Sequence, residues 1–190
     1  MPKSDHNAAH YFIETHLEAG RGEAIAFIEA ASGKRISYGT LSANSSKVAG
    51  ALTKAGIKRE ERAAILMLDS IDYVEVFWGC LKAGVIAVPI NTLLAGAVYD
   101  TILSDSRASC LFVSAALLQV VKPVLAKNDH IRKVIVVGDH PLEDGFESYQ
   151  TFTKGAPELV AVAVSPDETA FWLYSSGSTG QPKGVRHVHS

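Results

Sequence analysis

An excess of charge of either sign is what this sequence lacks. Lys and Arg number 18 against 20 Asp and Glu, a formal net charge of −2. A nucleic-acid surface usually shows as a basic stripe or a high pI, so no nucleic-acid partner is expected. The densest charged stretch, Lys58-Arg59-Glu60-Glu61-Arg62, mixes both signs and reads as a solvated loop. Cysteine is scarce as well. Cys80 and Cys110 each sit in an apolar run, without CxxC spacing. Buried free thiols in a reducing, cytoplasmic setting fit this better than a disulfide. No run approaches the ~20 apolar residues that cross a bilayer, and the first residues lack the apolar core of a signal peptide. A membrane partner is therefore not expected either. Internal repeats and low-complexity tracts are absent from the sequence.

What is present is apolar and alternating. Of 190 residues 47% are hydrophobic, enough for one compact domain. Residues 24–29 read as a strand, 32–34 as a turn and 35–38 as a second strand. Residues 40–55 carry Leu41, Val48, Leu52 and Ala55 on one helical face, with Gly56 as a stop. The continuous apolar run 63–68 predicts a strand covered on both faces. Asp69 or Ser70 can cap the next helix, where Ile71, Val74, Phe77, Trp78 and Leu81 recur at helical spacing until Gly84. Strands are predicted at 85–90, 109–113, 134–137 and 169–174. Helices are predicted near 97–104 and from Ala115, the latter disturbed by Pro123. Between Gly138 and Asp167 apolar density drops, which reads as a surface excursion. Strands alternating with helices predict an α/β fold, a mostly parallel sheet flanked by helices.

Chemistry concentrates in residues 174–185. From Ser175 to Gly184 the chain places four hydroxyls, three glycines and one lysine behind a strongly apolar strand. Glycines let backbone N–H groups turn toward an anion, and Ser and Thr hydroxyls add neutral donors. Lys183 adds a positive charge, worth about 4 kcal/mol against a unit anion at 4 Å before desolvation. That helps but does not hold a triphosphate alone. The segment is not the ordinary nucleotide loop, which needs Gly-Lys followed by Ser or Thr at a helix start. Here Pro182 precedes Lys183 and Gly184 follows it, and no GxGxxG spacing is present. A flexible Ser/Gly hairpin is the bland alternative. The Pro-Lys-Gly triplet at fixed spacing behind a buried strand disfavours it.

Other candidates are weaker. His187 and His189 would share one face of a strand, yet no Cys, Asp or Glu cluster joins them, and no metal ligand set is assigned. His6, His10 and His16 read as exposed residues of a polar N-terminal helix. Trp78 and Trp172 read as core aromatics by spacing.

Ser175-Ser176-Gly177-Ser178-Thr179-Gly180-Gln181-Pro182-Lys183-Gly184-Val185 resembles the signature loop of the adenylate-forming, AMP-binding superfamily. Leu81-Lys82-Ala83-Gly84-Val85-Ile86-Ala87-Val88-Pro89-Ile90-Asn91 is similar to a core segment of the same enzymes. Within the acyl-CoA synthetase branch, residues 18–23, 91–94 and 171–176 look most like benzoate-CoA ligase and related aryl-CoA ligases. Where members often carry Gly-Asp-Arg, this chain has Glu60-Glu61-Arg62. The resemblance implies a ligase that uses ATP and Mg²⁺ to turn a carboxylic acid into an acyl-adenylate, then passes the acyl group to CoA. It implies that Ser175, Ser176, Gly177, Ser178, Thr179, Gly180, Lys183 and Gly184 hold the phosphates. It further implies that residues 1–190 are the N-terminal part of the large AMP-binding domain, ending just after the loop. The CoA site and the C-terminal domain would then lie outside this segment, which alone would be inactive and could pair as a homodimer through uncovered apolar surface. Two alternatives stay open: a non-catalytic nucleotide-binding or interaction module derived from this fold, and a phosphate-loop hydrolase.

Overall fold

The computed structural model describes residues 6–141, 143–176 and 181–190. A π-helical turn at His10–Glu14 and a short helix, α1 (Thr15–Glu18), lead into the antiparallel pair β1 (Ile25–Ile28) and β2 (Arg35–Ser37). There follow α2 (Tyr38–Lys54), β3 (Arg62–Leu66), α3 (Ile71–Ala83), β4 (Ile86–Pro89), α4 (Gly96–Ser106) and β5 (Cys110–Ser114). After a single 3-10 turn come α5 (Leu118–Leu125), β6 (Lys133–Val137), β7 (Phe146–Ser148), α6 (Tyr149–Thr153), β8 (Thr169–Ser176) and β9 (Pro182–Val188). Among the described residues seven strands form one sheet in the order β7-β6-β5-β3-β4-β8-β9. Every neighbouring pair is parallel except β8–β9. The mixed, mostly parallel α/β sheet read from the sequence is the one observed.

Alternation along the inner strands explains why both faces are covered. Ala63 and Ile65 of β3 meet Val48 and Leu52 of α2 and Val76 and Cys80 of α3 in one core cluster. Ala64 and Leu66 face the other way, into a cluster with Tyr99, Ile102 and Leu103 of α4 and Leu118 and Val121 of α5. Each CH₂ so buried contributes about 0.8 kcal/mol, which is why an apolar run without polar alternation becomes an inner strand. Local signals set the ends. Ser70, rather than Asp69, caps α3 by accepting the Tyr73 N–H at 3.2 Å. Gly84 closes that helix in the left-handed region at φ 70°. Pro123 lies within α5 without ending it at once; the helix runs two residues further, to Leu125. No helix among the described residues is long and apolar enough to cross a membrane. Cys80 and Cys110 are free and buried as expected, and burial pushes the Cys80 thiol up to about 12.

Three expectations are corrected. The excursion between residues 138 and 167 contains β7, which extends the parallel sheet, and α6, whose Tyr149 and Phe152 are buried. Elements of three and five residues are too short to show a period. His6, His10 and His16 are half-buried rather than exposed, because the N-terminal segment is clamped to the body. The Asn7 amide donates to Leu81 O and Val162 O at 2.9 Å, and the His16 ring stacks on Tyr38 at 3.9 Å. Lys82, 1% exposed, bonds Glu14 Oε1 at 2.6 Å and both Ser42 O and Ser46 Oγ at 2.9 Å. Finally, residues 58–60 form an exposed turn as read, but Arg59, Glu61 and Arg62 of this stretch are engaged rather than merely solvated. Arg59 pairs with Glu168, and Arg132 with Glu61 at 2.8 Å. Arg62 donates to Ser106 O at 2.7 Å.

Three measurements check this packing. A Cβ added at Gly50 in α2 would lie 1.8 Å from Pro157 O, a backbone atom. Gly50→Ala should therefore cost roughly 2–3 kcal/mol in denaturant unfolding; a variant as stable as the parent would contradict the contact. Glu60 holds φ 64°, where a side chain is strained. Glu60→Gly should raise stability by about 1 kcal/mol, and a lower Tm would show that the Glu60 side chain itself holds the turn. Burial raises the Glu61 carboxyl, but the Lys58 N–H and the Arg132 guanidinium outweigh it and hold it below its ordinary 4.5. The advantage of Glu61 over Glu61→Gln should be complete above that value and shrink as the pH falls below it. A Tm difference independent of pH between 3 and 7 would refute the linkage.

Candidate functional site

The two crossovers out of the sheet centre diverge. The α3 connection carries β3 to β4 along one face, whereas α4 carries β4 back across β3 to β5 along the other. Where strand order reverses in this way, the loops leaving the strands' carboxyl ends part and leave a crevice. Here it measures about 390 Å³. Met67 and Asp69 follow β3, Tyr73 lies in the first turn of α3, Asn91 follows β4, and Leu173 and Tyr174 come from β8. Burial, reinforced by the Asp69 charge, raises the Tyr73 hydroxyl pKa. The Asn91 side chain is turned inward on its own loop, accepting the Leu93 N–H at 2.8 Å.

A larger cavity of about 720 Å³ runs along the ends of β3, β5 and β6. Its lining includes Glu29, Asp69, Asp72 and Asp139 against His140 alone. Such a wall repels an anion, so the smaller crevice, which adjoins the Ser/Gly-rich hairpin, is the candidate site.

The hairpin places the sequence-predicted residues in register. Ser175 pairs with Lys183, Tyr174 with Gly184, and the Ser176 backbone with Pro182. Residues directly opposite in an antiparallel pair project to the same side, with Cβ atoms about 5 Å apart. The Ser175 hydroxyl and the Lys183 ammonium therefore share one face, and both residues are exposed. Gly177, Ser178, Thr179 and Gly180 lie outside the described residues. The opposite face carries Trp172 and Tyr174, which pack against the α4–α5 side of the sheet. The Tyr174 hydroxyl donates to Asp105 Oδ2 at 2.5 Å. Burial, then that bond to a carboxylate, raises its pKa.

The two histidines after the hairpin are not gathered into a metal site. His187 stacks on Phe171 at 4.5 Å, and His189 Nδ1 accepts the Ala8 N–H at 3.1 Å. Among the described residues no three His, Cys, Asp or Glu side chains group to hold a metal. Trp78 packs against the core as expected, and Trp172 additionally lies under the Arg62 guanidinium at 5.8 Å.

Chemically, hydroxyls and one lysine on an exposed hairpin at the carboxyl edge of a parallel sheet suit phosphate oxygens. In the sequence Asp69 stands out only as a possible helix cap and Asn91 only within segments that resemble the family; no site role marks them, Tyr73 or Asp105, because each is brought to this neighbourhood by the sheet. Only Tyr174 carried a hint: a hydroxyl at the end of an apolar strand, directly before the donors.

Comparison with known proteins agrees with this geometry. Residues 14–190 match the AMP-binding enzyme family. The chain is 38% identical over 193 residues to the 4-hydroxybenzoate/benzoate-CoA ligase of Rhodopseudomonas palustris, covering 100% of this chain and 35% of that protein. It is 37% identical to the benzoate-CoA ligase of Thauera aromatica, over 97% of this chain and 34% of that one. Among solved structures, the anthranilate CoA ligase AuaEII in complex with anthranoyl-AMP matches with a TM-score of 0.90 at 31% identity, covering 100% of this chain and 36% of that one. A benzoate CoA ligase from Burkholderia xenovorans LB400 gives 0.82 at 33% identity, over 96% and 34%. The chain thus spans about a third of the length of the curated relatives it matches. With its sheet, its hairpin and nearly its whole length matched, this chain belongs to the AMP-binding enzyme family.

Proposed function

We propose that this chain is the N-terminal part of an ATP-dependent aryl-CoA ligase, with benzoate or a related aromatic acid as the carboxylate. The observation that carries the reading is the Ser175–Lys183 rung, standing at the carboxyl edge of the sheet beside the crevice where strand order reverses. The ligases named above add the substrate class, since their names specify benzoate, hydroxybenzoate and anthranilate.

In this reading a carboxylate oxygen attacks the α-phosphorus of ATP, the bond to the bridging oxygen breaks, and pyrophosphate leaves. The thiol of CoA then attacks the acyl carbonyl and AMP departs. The work of this chain's residues is to bind and orient. Ser175, Ser176, Gly177, Ser178, Thr179, Gly180 and Gly184 donate to the β- and γ-phosphates, presenting the α-phosphorus to the acid. Lys183 stabilises the charge that grows on departing pyrophosphate. Mg²⁺ travelling with the triphosphate supplies further positive charge when bound, which a single lysine calls for. CoA and the carboxylate would be recognised largely by residues outside this segment, so the 190-residue chain alone should not turn over.

The test is exchange of labelled pyrophosphate into ATP by the full-length polypeptide. Exchange that depends on benzoate is expected, with Lys183→Ala lowering it about a hundredfold and the isolated chain giving none. Carboxylate-independent ATP hydrolysis, or no exchange with any aromatic acid, would falsify the assignment.

A further inference from the structure

The parallel register of β4 and β8 joins Ala87 to Phe171, so Tyr174 and Ser175 lie past that rung. Their remaining strand neighbour is β9, which stands at the sheet edge. A hairpin extending beyond its sheet in this way needs a second point of support if its donors are to keep their place. The last turn of α4 provides one. Asp105 Oδ2 accepts the Tyr174 hydroxyl at 2.5 Å, linking residues 69 apart in sequence. Arg62 reinforces the junction, donating to Ser106 O at 2.7 Å and to Arg107 O at 3.3 Å while lying over Trp172. α4 is itself anchored by buried Tyr99, Ile102 and Leu103, so it is a firm post. The hairpin is shaped to accept the tether. A Cβ on Gly184, the register partner of Tyr174, would lie 3.1 Å from the Tyr174 ring, so a larger residue there would push the ring by a few tenths of an ångström.

We infer that the Tyr174–Asp105 hydrogen bond is a positioning device for the phosphate-binding hairpin, setting the Ser175–Lys183 rung relative to the crevice. The inference rests on the ATP reading above. The role assigned to Tyr174 is indirect; it acts through Ser175 and Lys183, the two residues of the rung it steadies. Its loss should loosen the hairpin without unfolding the sheet, since the bond lies at an exposed edge.

In the full-length polypeptide, Tyr174→Phe keeps the ring over Gly184 and removes the hydroxyl, and Asp105→Ala removes the acceptor. Each should raise the KM for ATP in pyrophosphate exchange by about tenfold, with the KM for the carboxylate and the Tm near their parent values. The double variant should be no worse than either single one, because both break the same bond. Tyr149→Phe is the structural control. It removes a phenol bonded to buried Glu75 at 2.8 Å, and should lower Tm without moving the KM for ATP. Parent-like ATP affinity in both Tyr174→Phe and Asp105→Ala, or additive effects in the double variant, overturns the positioning role. If the parent protein itself shows no ATP-dependent exchange, the functional reading fails, and that result is distinct from the first.

Discussion

The pairing of β3 with β4 is the constraint on which the rest depends. Both strands are buried on two faces, and both must be followed by a helix that returns along the sheet. One helix takes each face, so the chain turns in opposite directions after the two strands. The crevice follows from that divergence and from nothing in the loops themselves. The same pairing decides what enters the crevice. β8 joins on the far side of β4 and carries Ser175 to the carboxyl edge, where the backbone amides leaving a parallel sheet are already favourable to anions.

The outer parts of the molecule are secured by polar contacts as well. The N-terminal segment is held by Asn7 and by the Lys82–Glu14 pair, buried charge that is tolerable because Lys82 finds four oxygens from Glu14, Ser42 and Ser46 in addition to its packing. Burial lowers the Lys82 pKa and the Glu14 carboxylate opposes that fall. Just before β3 the exposed turn 58–61 is tied down by Arg132 and Glu168, and Arg62 leads from it into the α4 junction. Charged groups thus stitch together elements that the apolar layers leave free at their ends.

Much of this was readable before any coordinates. The apolar run from Ala63 and the Ile71–Leu81 stripe declared their burial, although Leu68 at the end of the run is exposed, and Ser70 and Gly84 declared where α3 begins and ends; Ser37, read as part of a strand, instead caps α2. β7 and α6 were not readable, because three and five residues give no period and their burial comes from Tyr149 and Phe152 meeting the core. The half-buried histidines at the N-terminus escaped for a related reason. Their segment is mostly polar, and the few residues that dock it, Asn7 through its amide and Ala9 and Ile13 through core contacts, are too sparse to declare a buried face.

At the candidate site the division is sharper. Local chemistry alone determined that residues 175–184 could hold phosphate: glycines, hydroxyls and a lysine at close spacing are an anion-binding composition in any fold. The strand before them, read as buried, is only partly so: Ala170 is buried, Phe171, Trp172 and Tyr174 are half-buried, and Leu173 is exposed, because this strand stands next to the edge of the sheet. Which residues stand around that segment was decided by tertiary structure alone. Asp69, Asn91 and Asp105 are separated from Ser175 by 70 residues or more, and only the strand order β3-β4-β8 and the α4 crossover bring them to one edge. Composition acts over neighbours in sequence, whereas a crevice is made by strands that neighbour each other only after the sheet has formed.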